Sequence, residues 1–152
     1  MGTVSIETLA AMAGQNIGVS DWIMVDQARI NAFADVTEDH QFIHVDQDRA
    51  AQTPLGGTVA HGFLTLSLLS AMMGSCGFPQ IDGARMMLNY GTDKVRFLNP
   101  VKAGKRVRGH VTLQDVVEKR AGEWLYRLNV SVEIEGEEKP ALVAQWLGAV
   151  ML

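Results

Sequence analysis

Asp39 and His44 stand five residues apart in a segment, residues 35–46, that is dense in polar groups yet carries Phe42, Ile43 and Val45. A plain solvated loop has no use for those apolar side chains. A loop of this spacing can bend a carboxyl and an imidazole toward one water. One group then takes a proton from the water while the other gives a proton to a neighbouring carbon. His44 is the natural base, because imidazole titrates near working pH. Asp39 would then carry a proton, which calls for burial that raises its pKa. Spacing alone leaves a plainer reading open: Asp39 caps a turn and His44 is a hydrogen-bonded core histidine.

A second group follows. His61-Gly62 opens an apolar helical stretch, and a helix start offers free N–H groups and the positive end of a dipole. Gly62, without a side chain, lets a carbonyl approach its N–H as an oxyanion site. It equally permits tight packing, and His61 reads equally as a buried polar group in a turn. Ser67, five residues beyond Gly62, faces the same cavity or bonds back to its own helix. Tyr90-Gly91 and Lys94-Val95-Arg96 fall on a strand, where alternation sends Lys94 and Arg96 to one face, either toward the phosphates of an anionic ligand or into solvent. His40 and His110 read as surface residues. No glycine-rich phosphate loop, metal-ligand set or nucleophile elbow is present.

Composition narrows the partners. The chain has 152 residues, 47% apolar and 20% charged, with a net charge of −4. This is the balance of a globular chain of one domain, residues 1–152. The absence of a basic block argues against nucleic acid and anionic membrane as partners. The one cysteine, Cys76, excludes an internal disulfide and a cysteine metal set, and reads as a small buried hydrophobe. No basic-then-apolar leader is seen, and the most apolar stretch, residues 59–74, is shorter and more polar than the roughly 20 apolar residues of a membrane span. The expected location is cytoplasmic.

The elements that position these residues are expected as follows. Residues 5–13 form a short helix and residues 19–25 a strand. Asp26 caps a helix, and Asp46 caps a shorter one through Ala51. Pro54, Gly56 and Gly57 form a loop. Residues 60–74 form the longest helix, apolar almost all round and therefore buried. Residues 86–97, 106–117, 124–135 and 141–151 read as long strands, with Gly122 and Gly136 at hairpin turns. Helices followed by antiparallel strands give an α+β class, a long central helix wrapped by a curved antiparallel sheet.

Three segments together carry a resemblance. Residues 33–46 hold Asp39-x4-His44, residues 57–68 hold His61-Gly62 and Ser67-Leu68, and residues 88–101 run from Leu88 through Lys94 and Phe97 to Val101. In this register they resemble the MaoC-like dehydratases, in the variant related to nodulation protein N, over residues 22–150. The resemblance implies a hotdog fold and a homodimer joined edge to edge. It implies (R)-specific enoyl-CoA hydratase chemistry on a 2-enoyl-CoA thioester, with no cofactor beyond the coenzyme A of the substrate. Asp39 and His44 match the family's catalytic pair, Gly62 the amide that holds the thioester oxygen, and Ser67 a serine lining the site. Gln41 stands where fuller motifs carry Asn, and Phe42 where they often carry Pro, which bears on the acyl pocket more than on the reaction. A thioesterase of the same fold would place an acid on the long helix, and residues 60–74 contain no Asp or Glu. A non-catalytic acyl-CoA binder is the remaining alternative, with Gln41 as its support.

Overall fold

In the computed structural model, residues 2–152 are described. A two-residue strand β1 (Thr3–Val4) leads into α1 (Ile6–Ala11), where the Ser5 hydroxyl accepts the Thr8 N–H at 3.2 Å as an N-cap. The expected strand 19–25 is instead two, β2 (Asn16–Val19) and β3 (Ile23–Val25). Ser20 separates them: its buried hydroxyl accepts the Gly109 N–H at 2.9 Å, replacing a ladder bond with a side-chain bond. Asp26 caps α2 (Gln27–Thr37) by accepting the Arg29 N–H at 2.8 Å, and Ile30 and Ala34 point into the core.

α2 ends at Glu38, whose φ of 60° is left-handed, an unusual position for a residue with a side chain. A single turn, α3 (Phe42–Val45), follows, and Asp46 caps α4 (Gln47–Ala51) as expected. The helix anticipated over 60–74 starts later and is interrupted at one residue. It is α5 (Gly62–Ser67) and α6 (Leu69–Met73), with Leu68 between. Leu68 N–H still reaches Leu64 and Met72 N–H reaches Leu68, so the hydrogen-bond ladder continues across the break. The Ser67 hydroxyl donates to the Phe63 carbonyl at 2.7 Å, a back-bond of the kind that bends helices. The expected all-round burial is also corrected. Leu64, Thr65, Leu69 and Met72 are buried, whereas Phe63, Ser67, Ser70 and Ala71 lie on an exposed face.

After a short β4 (Gln80–Ile81), which pairs in parallel with β1, come the four long strands β5 (Met86–Phe97), β6 (Lys105–Arg120), β7 (Glu123–Ile134) and β8 (Leu142–Met151). The sheet order is β2-β6-β7-β8-β5, all neighbours antiparallel, with β3 also on β6. Gly122, at φ 76°, supplies the left-handed residue of the β6–β7 turn. Along β6 the period is two: Val107, Gly109, Val111 and Leu113 face the helix, while Arg106, Arg108 and His110 face outward toward Glu133 of β7 and Glu135 just beyond it. Gly109 gives α6 its seat, since a Cβ there would stand 3.0 Å from the Met72 sulfur. Burying each large aliphatic side chain in this layer contributes about 1.5–3 kcal/mol. A helix laid on one face of an antiparallel sheet is the hotdog arrangement. No helix of the described residues is long and apolar enough to cross a membrane.

Candidate active site

His44 sits on the one-turn helix α3, and four hydrogen bonds fix that turn. Its N–H donates to the Gln41 carbonyl at 2.9 Å, and its own carbonyl accepts from the Gln27 amide at 2.7 Å. The Val59 N–H reaches the Ile43 carbonyl at 3.0 Å, and the His44 ring returns the link, Nδ1 donating to the Val59 carbonyl at 2.6 Å. A carbonyl only accepts, so Nδ1 carries a proton and Nε2 holds the lone pair of the neutral ring. The ring is buried at 7% exposure. Burial pushes its pKa below the ordinary value; the Val59 bond opposes this, His61 adds to it, and the Asp39 charge opposes it.

Asp39 lies in the turn after α2. Its carboxylate accepts the Gln41 N–H at 3.3 Å, a local turn cap. The side chain is 54% exposed, so the burial expected for a proton-carrying Asp39 is not found within the single chain. His61 is buried at 3% and donates from Nε2 to the Asp39 backbone carbonyl at 2.9 Å. One donor atom each of Asp39, His44 and His61 falls within 4.8 Å of the other two. Such a trio has the donor types for a metal ion, but His61 Nε2 is engaged as a proton donor and offers no lone pair there.

The remaining candidates divide. A cavity of about 290 Å³ is lined by His44, Val59, Gly62, Thr65, Phe97 and Val101, among others. Gly62 therefore shares a cavity with His44. As first residue of α5 its N–H has no partner within the helix. A Cβ at this glycine would stand 2.8 Å from the Phe97 ring, so the missing side chain also makes room for Phe97. His61 does not line the cavity; its ring stacks behind His44. Ser67 turns to its own helix and borders a separate pocket with Asn89, Thr92 and Trp146. Tyr90 is 50% exposed and accepts from Lys119 at 2.9 Å, outside both pockets. Lys94 and Arg96 line an open groove of about 630 Å³ with His110 and Ser131, on the sheet face away from Gly62. Gln41 is exposed, and its side chain makes no capping bond. Gln27 and the Val59 carbonyl, which hold α3, carry no sequence signal.

The family profile described as MaoC like domain matches residues 8–134. This chain belongs to the MaoC-like family. The MaoC-like chain is 51% identical over 148 residues to nodulation protein N of Rhizobium meliloti (strain 1021), covering 97% of this chain and 91% of that protein. It is 45% identical over 141 residues to 3-hydroxyacyl-thioester dehydratase Z of Mycobacterium tuberculosis, covering 93% and 92%. Two solved structures share the fold. The monoamine oxidase regulatory protein of Archaeoglobus fulgius superposes with a TM-score of 0.80 at 20% identity, covering 99% of this chain and 96% of that one. The (R)-hydratase from A. caviae gives 0.71 at 24% identity, covering 90% and 94%. These MaoC-like neighbours carry the hotdog fold.

Proposed function

We propose that this MaoC-like chain is an (R)-specific enoyl-CoA hydratase, adding water reversibly to a 2-enoyl-CoA thioester to give the (R)-3-hydroxyacyl-CoA. The observation that carries this reading is the convergence of a partly exposed carboxylate, Asp39, on a buried imidazole, His44, whose tautomer is fixed by the Val59 carbonyl. Burial lowers the pKa of that ring, which favours the neutral form a base requires. The 45% identical relative named as a 3-hydroxyacyl-thioester dehydratase supports the same reaction class.

In this mechanism the thioester lies in the cavity shared by His44 and Gly62. The Gly62 N–H polarises the carbonyl, so Cβ becomes electrophilic. Asp39 and His44 hold one water over one face of the double bond. His44 Nε2 takes a proton as the water oxygen bonds to Cβ, and the electrons of the double bond move toward Cα and the carbonyl. Asp39 in its protonated form delivers that proton to Cα on the same side, the His44 imidazolium then returns one proton to the Asp39 carboxylate, and the addition is syn. The Ser67 hydroxyl is engaged with its own helix beside a separate pocket, and Lys94 and Arg96 line the groove on the opposite sheet face, so none of the three enters this mechanism. The enzyme acts as a homodimer whose sheets join at β5.

The thioesterase reading lacks its acid, because α5 and α6 carry no carboxylate. The non-catalytic reading rested on Gln41, yet here the Gln41 N–H supports the Asp39 carboxylate. The test is purified protein with a short 2-enoyl-CoA. Loss of the conjugated enoyl-thioester absorbance with an (R)-3-hydroxy product is expected. Release of free thiol instead would move the assignment to hydrolysis, and binding without turnover would move it to a carrier.

A further inference from the structure

We infer that His61 is a positioning residue: its Nε2–H fixes the Asp39 turn, and its ring backs His44, so that carboxylate and imidazole face one point. The inference rests on the hydratase reading for its rate effects, but its geometry stands alone.

Three observations carry it. First, the Asp39 turn has little else to hold it. Glu38 enters it in the left-handed region, and the one bond made by the Asp39 carboxylate is a local one of 3.3 Å. Among the described hydrogen bonds of residues 38–41, the His61 bond to the Asp39 carbonyl is the one that reaches another segment, 22 residues away. Second, His61 is itself immobilised. It is 3% exposed, with the Phe33 ring centroid 5.0 Å and the His44 ring centroid 3.8 Å from its own. Third, its polarity is kept at a cost. Nδ1 is the single buried side-chain nitrogen or oxygen among the described residues without a hydrogen-bond partner. A buried orphan is destabilising and calls for a reason. An apolar ring would fill the same slot without that cost. What only the imidazole supplies is the Nε2–H to Asp39.

The experiment separates donor from ring. His61→Gln keeps a terminal N–H at the reach of Nε2 and loses the ring. His61→Phe keeps the ring and loses the donor. His61→Asn keeps a donor that is too short to arrive. With 2-enoyl-CoA as substrate, His61→Gln should hold kcat within about threefold. His61→Phe and His61→Asn should lose on the order of 10²-fold in kcat with KM little changed, the scale of a misplaced reacting group. Equal loss in all three, or full kcat in the Phe variant, overturns the inference.

A second readout needs no turnover. The charged or titratable groups acting on the His44 ring are Asp39 and His61, and Asp39 raises its pKa. By NMR titration, Asp39→Asn should lower the His44 midpoint in the wild-type and His61→Gln backgrounds, and leave it unmoved in His61→Phe or His61→Asn. A shift of the same size in every background overturns the positioning role. If wild-type protein does not hydrate any enoyl thioester while the His61-dependent coupling persists, the hydratase reading falls and the positioning stands.

Discussion

The rings of His44 and His61 lie face to face, centroids 3.8 Å apart and planes 23° from parallel. One face of His44 is thereby sealed, and Nδ1 is spent on Val59. What remains for chemistry is Nε2, in the ring plane.

That arrangement sets a pH dependence. The base works unprotonated, and burial lowers the His44 pKa from its usual 6.5. The acid limb of kcat/KM should therefore have its midpoint below 6.5, and activity should persist as pH falls through that value. Stability moves with it. The unfolded chain takes up this proton near 6.5 while the folded one resists it, so the unfolded state binds more protons below 6.5. This contribution to stability falls as pH drops from 6.5 toward the lowered folded value. A pH–rate profile checks the claim, and an acid-limb midpoint above 6.5 would sink it.

Removing either member of the pair should cost rate, and His44→Ala should also cost stability, because it empties a buried site and strands the Val59 carbonyl. His44→Ala and Asp39→Asn should each lower kcat by about 10²–10⁴. Asp39→Asn should melt as wild type does, because the side chain is half exposed and its turn bond survives in an amide oxygen. Steady-state kinetics beside thermal melts checks this. Full activity in either variant removes that residue from the chemistry.

The fold was legible where periodicity and capping agree. β5 was expected over residues 86–97 and spans Met86–Phe97, and Ser5, Asp26 and Asp46 begin helices where oxygen side chains precede them. What escaped is long-range. Ser20 splits a strand through a bond to Gly109, 89 residues away. Ser67 bonds back to the Phe63 carbonyl just before the helix is interrupted, and one face of that helix stays exposed because the single chain does not cover it. At the site, spacing showed that Asp39 and His44 could meet but not that His61 sits behind them. Spacing also left open both roles for each residue, and the structure gives both. Asp39 caps a turn and His44 is a bonded core histidine, and a ligand atom of each still falls within 4.8 Å of the other.

Gly62 is tied to Phe97 by space. A Cβ at 62 would stand 2.8 Å from one ring carbon and 3.0 Å from two others. Gly62→Ala should therefore displace the ring and cost about 1–3 kcal/mol of stability, the usual range for overpacking. The pair Gly62→Ala with Phe97→Leu should recover most of that stability but not the rate, because the new methyl still crowds the N–H. Denaturant melts and kinetics on both proteins separate the effects. A wild-type melt in the single variant would show that the ring contact is not why glycine is needed.

The β5 edge makes the assembly testable. Among the described residues β5 pairs with β8 on one side alone, so its other edge is an unpaired row of backbone groups. Met86, Met87 and Leu88 are 46%, 43% and 44% exposed. Side chains alternate between faces, so three consecutive exposed apolar residues mean that neither face of the strand is covered there. Such an edge is an aggregation hazard unless a second copy closes it, which is the edge-to-edge homodimer proposed above. Light scattering should give twice the chain mass. Leu88→Asp brings a charge to the joint from each copy, and like charges across paired strands repel, so it should shift the protein toward monomer and lower activity as it dissociates. The Asp39 carboxylate, half exposed in the single chain, should then remain wet. A monodisperse wild-type monomer with full hydratase activity would remove the dimer from the mechanism and leave the Asp39 turn to work in open solvent.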